Sequence, residues 1–150
     1  MSLKVQFAAL SFGASVDQQT GNLSVFEILE ELRVPQLPVQ LPSAVISLVL
    51  EKKNPEAFAG KMLIHFLTPD GTQRVVGNGD LSVPAEQRRM KAVFRFGGFP
   101  IQAMRSHRFV LSVVDPSNKK VAEAVMDFTV VQVPQVAQAN APSEKPPVSH

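Results

Sequence analysis

Few groups in this chain could do chemistry: three histidines, thirteen carboxylates and no cysteine. Without Cys there is no thiolate nucleophile, no thiolate metal site and no disulfide. His65 alternates out of phase with Met62, Ile64 and Phe66, which places it on a solvated or second face; neither it nor His107 is read as catalytic or as a ligand. No Gly-x-Ser-x-Gly, His-x-x-x-His or phosphate-cradling Gly loop occurs. Gly97-Gly98 lacks the following helix that anion binding at a helix terminus requires, so it reads as a bulge or tight bend. Asp17, Asp70, Asp80 and Asp115 raise loop calcium binding, since hard cations need six or more oxygen ligands. Each loop supplies one Asp, however, flanked by the Pro or Gly that turn formation alone would select. No catalytic residue, metal, cofactor or small-molecule substrate follows from these groups.

Charge is the more informative feature. Up to Gln87 there are six basic and nine acidic side chains, and from Arg88 onward nine basic and four acidic. Arg88, Arg89, Lys91, Arg95, Arg105 and Arg108 fall in one stretch with no carboxylate among them. Lys91, Val93 and Arg95 share one strand face, and Arg108, Val110 and Val114 share another. If those two strands pair, they make a Val-centred surface rimmed by cations, with Arg88, Arg89, Lys91, Val93, Arg95, Arg105, Arg108 and Val110 as candidate partner-binding residues. The competing interpretation is an ordinary solvated face whose β-branched residues serve sheet propensity.

The elements that would position these residues are strands. Period-2 alternation runs through Lys4–Phe12, Leu23–Val34, Ala44–Glu51, Lys61–Thr68, Gln73–Val83, Met90–Phe96, Arg108–Val114 and Lys120–Val133. Pro69-Asp70-Gly71-Thr72 and Asp115-Pro116-Ser117-Asn118 are hairpin turns, and Gly77-Asn78-Gly79 keeps phase as a bulge within one strand. Phe94 and Phe128 lie in phase with apolar neighbours and belong to the core. One segment is ambiguous. Ser24-Val25-Phe26-Glu27 is a capping-box pattern, and Val25, Ile28, Leu29 and Leu32 have helical spacing, yet Phe26, Ile28, Leu32 and Val34 also alternate. The need for a partner to close two sheets favours strand.

The expected fold is all-β: a single antiparallel β-sandwich of about eight strands, immunoglobulin- or C2-like, over residues 1–133. Residues 134–150 are rich in Pro, Ala and Gln without periodicity, and too little apolar surface is available there to offset ordering entropy. No basic n-region leads into an apolar h-region at the start, and no stretch approaches the length of a membrane span. With the lack of Cys, this points to a cytoplasmic protein.

Ala8-Ala9-Leu10-Ser11-Phe12, Thr20-Gly21-Asn22-Leu23-Ser24-Val25-Phe26 and Leu32-Arg33-Val34-Pro35-Gln36-Leu37-Pro38 resemble an uncharacterised bacterial family of small β-sandwich proteins. The resemblance spans about residues 4–131. It implies the strand reading of Leu23–Val34 and brings no activity with it. The expectation is therefore a non-enzymatic interaction module whose partner is another protein or a second copy of itself. The alternative is a polyanion, nucleic acid or an acidic membrane, held by the basic stretch 88–108.

Overall fold

The computed structural model describes residues 3–134, so the Pro/Ala/Gln-rich segment 135–150 lies outside the described residues. Alternating apolar residues emerge as nine strands with no helix among the described residues: β1 (Leu3–Val16), β2 (Leu23–Ile28), β3 (Glu31–Val34), β4 (Val39–Lys52), β5 (Phe58–Leu67), β6 (Gln73–Val83), β7 (Arg89–Ile101), β8 (Arg105–Val114) and β9 (Lys120–Gln132). They form a four-stranded sheet, β2-β1-β4-β7, and a five-stranded sheet, β3-β9-β8-β5-β6. The order β1-β4-β7 against β9-β8-β5 follows that of immunoglobulin sandwiches, with β2, β3 and β6 at the edges.

The count is nine rather than eight because the ambiguous segment is two strands. β2 pairs antiparallel with β1, the chain crosses between sheets at Leu29-Glu30, and β3 then lies parallel to β9. Leu29 is buried in the core at the crossing, and its N–H donates to the Leu10 carbonyl. The helical spacing of Val25, Ile28, Leu29 and Leu32 thus reflects one chain serving two sheets in turn. The sandwich is accordingly antiparallel except at this edge.

Side chains from both sheets meet in one core that includes Leu10, Ile46, Leu48, Ile64, Phe66, Phe109, Leu111 and Phe128. Phe128 is fully buried and Phe94 is half-buried against the same cluster. Within the β5–β6 pair, the register skips Val76, between Ile64↔Gly77 and His65↔Val75. The bulge is therefore real and sits one residue before the Gly-Asn-Gly run. Gly97-Gly98 does not end its strand. Leu41 pairs with Phe99 and Ser43 with Gly97, so Pro42 stands opposite Gly98, whose φ is 61°. Only Gly takes that conformation at little cost. The kink lets Leu41, Phe99 and Ile101 on one side of it, and Ala44, Phe94 and Phe96 on the other, all reach the core.

Candidate interaction face

The two halves of the basic stretch lie on opposite sides of the molecule. β7 is an edge of the four-stranded sheet and β8 is interior to the five-stranded one, so the strands expected to pair do not. Arg108 and Val110 point out from the five-stranded sheet. There Arg108 Nε donates to Asp127 Oδ1 on β9 at 2.7 Å, and this partner raises the guanidinium pKa. Arg105 opens β8 with φ 82°, and its carbonyl accepts from His107 Nδ1 at 3.1 Å. Arg88 and Arg89 both approach Glu51, at 2.9 and 3.9 Å.

Lys91, Val93 and Arg95 remain together, and their neighbours differ from those the sequence suggested. On β4 and β1 the core takes Ile46, Leu48 and Leu50, and Ala8, Leu10 and Phe12, so the intervening residues face away from it. Register then builds the outer face in rows. Ile28, Ser11, Val45 and Arg95 form one row; Ala9, Ser47 and Val93 the next; Phe7, Val49 and Lys91 a third. Phe26 stands beside Gly13 and Ser43 beside Gly97. Continuing the β1–β4 register by two residues from Ser11↔Val45 joins these pairs into a fourth row.

The face has a floor of small residues and two raised flanks. Ala9, Ser11, Val45 and Ser47 are buried although they point outward. On the β2 flank, Phe26 and Ile28 are 52% and 55% exposed, and Phe7 on β1 is 39% exposed. The Phe26 ring rests against the position a Cβ would take at Gly13, 3.6 Å away. On the β7 flank, Arg95 reaches across β4 to donate from Nη2 to the Ala14 carbonyl at 3.1 Å. Four strands thus offer an apolar surface with cations along one side. The opposite outer face carries Arg108–Asp127 and Lys120–Glu123 ion pairs beside a row of Val75, His65, Val110 and Val125, in which Val75 and Val125 are exposed.

Phe26, Ile28 and Phe7 were not legible as site residues. Alternation assigned phenylalanines to the inner phase, and only the register across three strands reveals that these point out.

Groups suited to acid–base work are engaged structurally. His107 is buried, stacked between Phe66 and Phe128 at 5.6 and 5.3 Å, and desolvation lowers its pKa. His65 points outward from β5. Asp70 accepts from the Thr68 hydroxyl and the Thr72 N–H, which hold its pKa down at about 2. Asp17 accepts the turn N–H groups of Thr20 and Gln19, and Asp115 accepts the Ser117 hydroxyl and the N–H groups of Lys119 and Ser117; these bonds lower both pKa values. A cavity of about 390 Å³ between the β5–β6 turn and the β7–β8 turn brings Asp70, Arg74, Gln102 and His107 to one end of the sandwich. Among the described residues no cluster of His, Asp and Glu could hold a metal ion, and no helix is long and apolar enough to cross a membrane.

Residues 6–113 match the model of a family of unknown function, DUF6941, and the chain belongs to that family. Among curated proteins, none matches the sequence. Among solved structures, the chain is similar to Pseudomonas fluorescens alkylpurine DNA glycosylase AlkC bound to DNA containing an abasic site analog. The TM-score is 0.50 at 10% identity, over 87% of this chain and 30% of that one. It is also similar to β-glucosidase from Listeria innocua in complex with glucose, with a TM-score of 0.48 at 10% identity, over 86% of this chain and 16% of that one. The chain spans less than a third of either protein, and at such identity the likeness concerns the fold alone.

Proposed function

We propose that this member of the family is a non-enzymatic protein-interaction domain of the cytoplasm, and that it binds through the outer face of the sheet β2-β1-β4-β7. One observation carries the reading: Phe7, Phe26 and Ile28 stand exposed around an outward-facing floor of small residues, with Lys91 and Arg95 on the far flank. Isolated apolar residues on a surface need no explanation, but a contiguous patch with a polar rim is how association sites are built. Apolar residues at the centre supply most of the affinity, and rim charges set encounter rate and partner choice. The dispersal of the other cations weighs against a polyanion as partner. Arg88 and Arg89 lie against Glu51, and Arg108 against Asp127 on the opposite side.

The test is site-specific photo-crosslinking in the native cell, with a photoreactive phenylalanine analogue at position 26 and, as control, at position 110. A discrete protein adduct from position 26 but not from position 110, retained at high salt, is the expected result. Equal labelling from both positions would overturn the reading. Nucleic-acid adducts that vanish as salt rises would replace it with polyanion binding.

A further inference from the structure

The cavity of about 390 Å³ at one end of the sandwich is lined by two opposite charges from a single hairpin, Asp70 in the β5–β6 turn and Arg74 at the start of β6. Among the described residues neither is in an ion pair. Each is held in place by other means. Asp70 Oδ1 accepts the Thr68 hydroxyl and the Thr72 N–H, in a turn closed by backbone bonds from Thr68 to Thr72 and from Gly71 to Thr68, each 3.0 Å. Asp70 Oδ2 takes part in neither contact. The Arg74 guanidinium lies 5.3 Å from the Phe99 ring centroid and 5.9 Å from that of Phe66. Ring faces attract the charge itself, which needs none of its N–H donors.

A third group in the same lining is left incomplete. His107 is buried, and its Nδ1–H is committed to the Arg105 carbonyl. Nε2 of the neutral ring is then a bare lone pair, and it is buried with no partner among the described residues. A buried acceptor without a donor has lost its hydration and gained nothing, so such an atom in a native fold calls for an explanation.

The volume is within the range of small-molecule sites, about 300–1,000 Å³. A carboxylate suits the planar fork of Arg74, which binds it through two parallel hydrogen bonds. An ammonium suits the ionised Asp70, and its N–H groups are the kind of donor that His107 lacks. An anion alone would face Asp70, and a cation alone would face Arg74, each a like charge fixed in the cavity. We propose that this cavity binds a small zwitterion, a free amino acid or a short peptide, with its carboxylate on Arg74 and its ammonium on the side of Asp70 and His107. The site rests on none of the observations made on the outer face of the four-stranded sheet.

Isothermal titration calorimetry of the full chain tests it, with γ-aminobutyrate and triglycine as probes and with butyrate and butylammonium as single-charge controls. At least one zwitterion should bind at least about tenfold more tightly than both controls. Preference for γ-aminobutyrate assigns free amino acids as the source, and preference for triglycine assigns peptides. Arg74→Met keeps the stem over the rings and removes the fork, while Asp70→Asn keeps the Oδ1 acceptor and removes the charge. Each should weaken the zwitterion at least about tenfold and leave the circular dichroism spectrum unchanged. In an NMR titration the ring resonances of His107 should move, Nε2 among them, while those of His65 on the outer side of β5 stay in place. Butyrate bound as tightly as the zwitterions would make this a plain anion site and overturn the proposal. So would binding indifferent to both substitutions, or a bound zwitterion that leaves His107 unmoved. No binding at millimolar concentration would overturn it as well, leaving Asp70 to the turn and Arg74 to the two rings.

Discussion

Lys52 is buried at the end of β4, and its Nζ donates to the carbonyls of Glu56, Pro84 and Ala85 at 2.5 to 3.1 Å. The contact with Pro84 joins residues 32 apart in sequence and ties the β4–β5 connection to the β6–β7 connection at one end of the sandwich. A buried ammonium is tolerable only when its N–H groups are met, and here three carbonyls meet them. Lys52→Met keeps the stem's packing and removes the donors, leaving three carbonyls short of a partner. The variant should lose about 1–3 kcal/mol in urea unfolding. An unchanged midpoint would show that water replaces the ammonium at no cost.

Core substitutions should follow burial rather than residue type. Phe128 is fully enclosed and stacks with His107 and Phe109 at 5.3 and 6.2 Å, so Phe128→Ala should cost about 3–5 kcal/mol through lost burial and a residual cavity. Phe94 is only half-buried beside the core, so Phe94→Ala should cost less than Phe128→Ala in the same assay. Equal losses would mean that Phe94 is enclosed by something other than the two sheets.

Alternation made most of the fold legible. Each strand with one buried face announced itself, and so did turns whose Asp, Gly or Pro is required by backbone geometry. What escaped was non-local. That β7 pairs with β4 rather than β8 depends on which strand follows which across the sandwich, and nothing in Lys91-Ala92-Val93-Phe94-Arg95 encodes it. Leu23–Val34 was ambiguous because its apolar residues serve first one sheet and then the other across Leu29. The interaction face was half visible, through Lys91, Val93 and Arg95. Its other half was hidden because Phe26 and Phe7 lie on different strands, where a sequence pattern cannot show which side of a sheet they share. Nothing in the sequence sets Lys52 apart from Lys53 beside it, since burial against carbonyls distant in sequence leaves no local mark.

Stability should fall on acidification in two windows. His107 is neutral and desolvated, so its pKa in the folded chain lies below the ordinary 6.5. The unfolded chain then takes up the proton first, and stability present above pH 6.5 is lost as pH falls toward the folded value. Asp70, held at about 2 against an ordinary 3.8, repeats the pattern lower down. Its contribution is present above pH 3.8 and is lost as pH falls through about 2. His107→Phe should flatten the first limb and leave the second, and Asp70→Asn should reduce the second, which Asp17 and Asp115 share, and leave the first, as read from Tm against pH. A profile unchanged by His107→Phe would place the upper titration elsewhere.

Val93 and Val110 put the interaction face to its most direct comparison. Both are partly exposed β-branched residues facing outward beside a cation on their own strand, and both belong to the basic stretch. They differ in which sheet they leave. Val93 stands in the row with Ser47 and Ala9, between Lys91 and Arg95. Val110 stands opposite His65 on β5 and Val125 on β9, next to the Arg108–Asp127 pair. Val93→Asp would place a carboxylate within the face and should weaken association more than Lys91→Ala, which removes only a rim charge. Val110→Asp should leave association unchanged, because the proposed face lies on the other sheet. All three variants should keep the wild-type circular dichroism spectrum, since each position faces away from the core. If Val110→Asp proves the damaging change and Val93→Asp the silent one, the working face is the five-stranded sheet. The exposed Phe26 and Ile28 would then be surface residues without a partner.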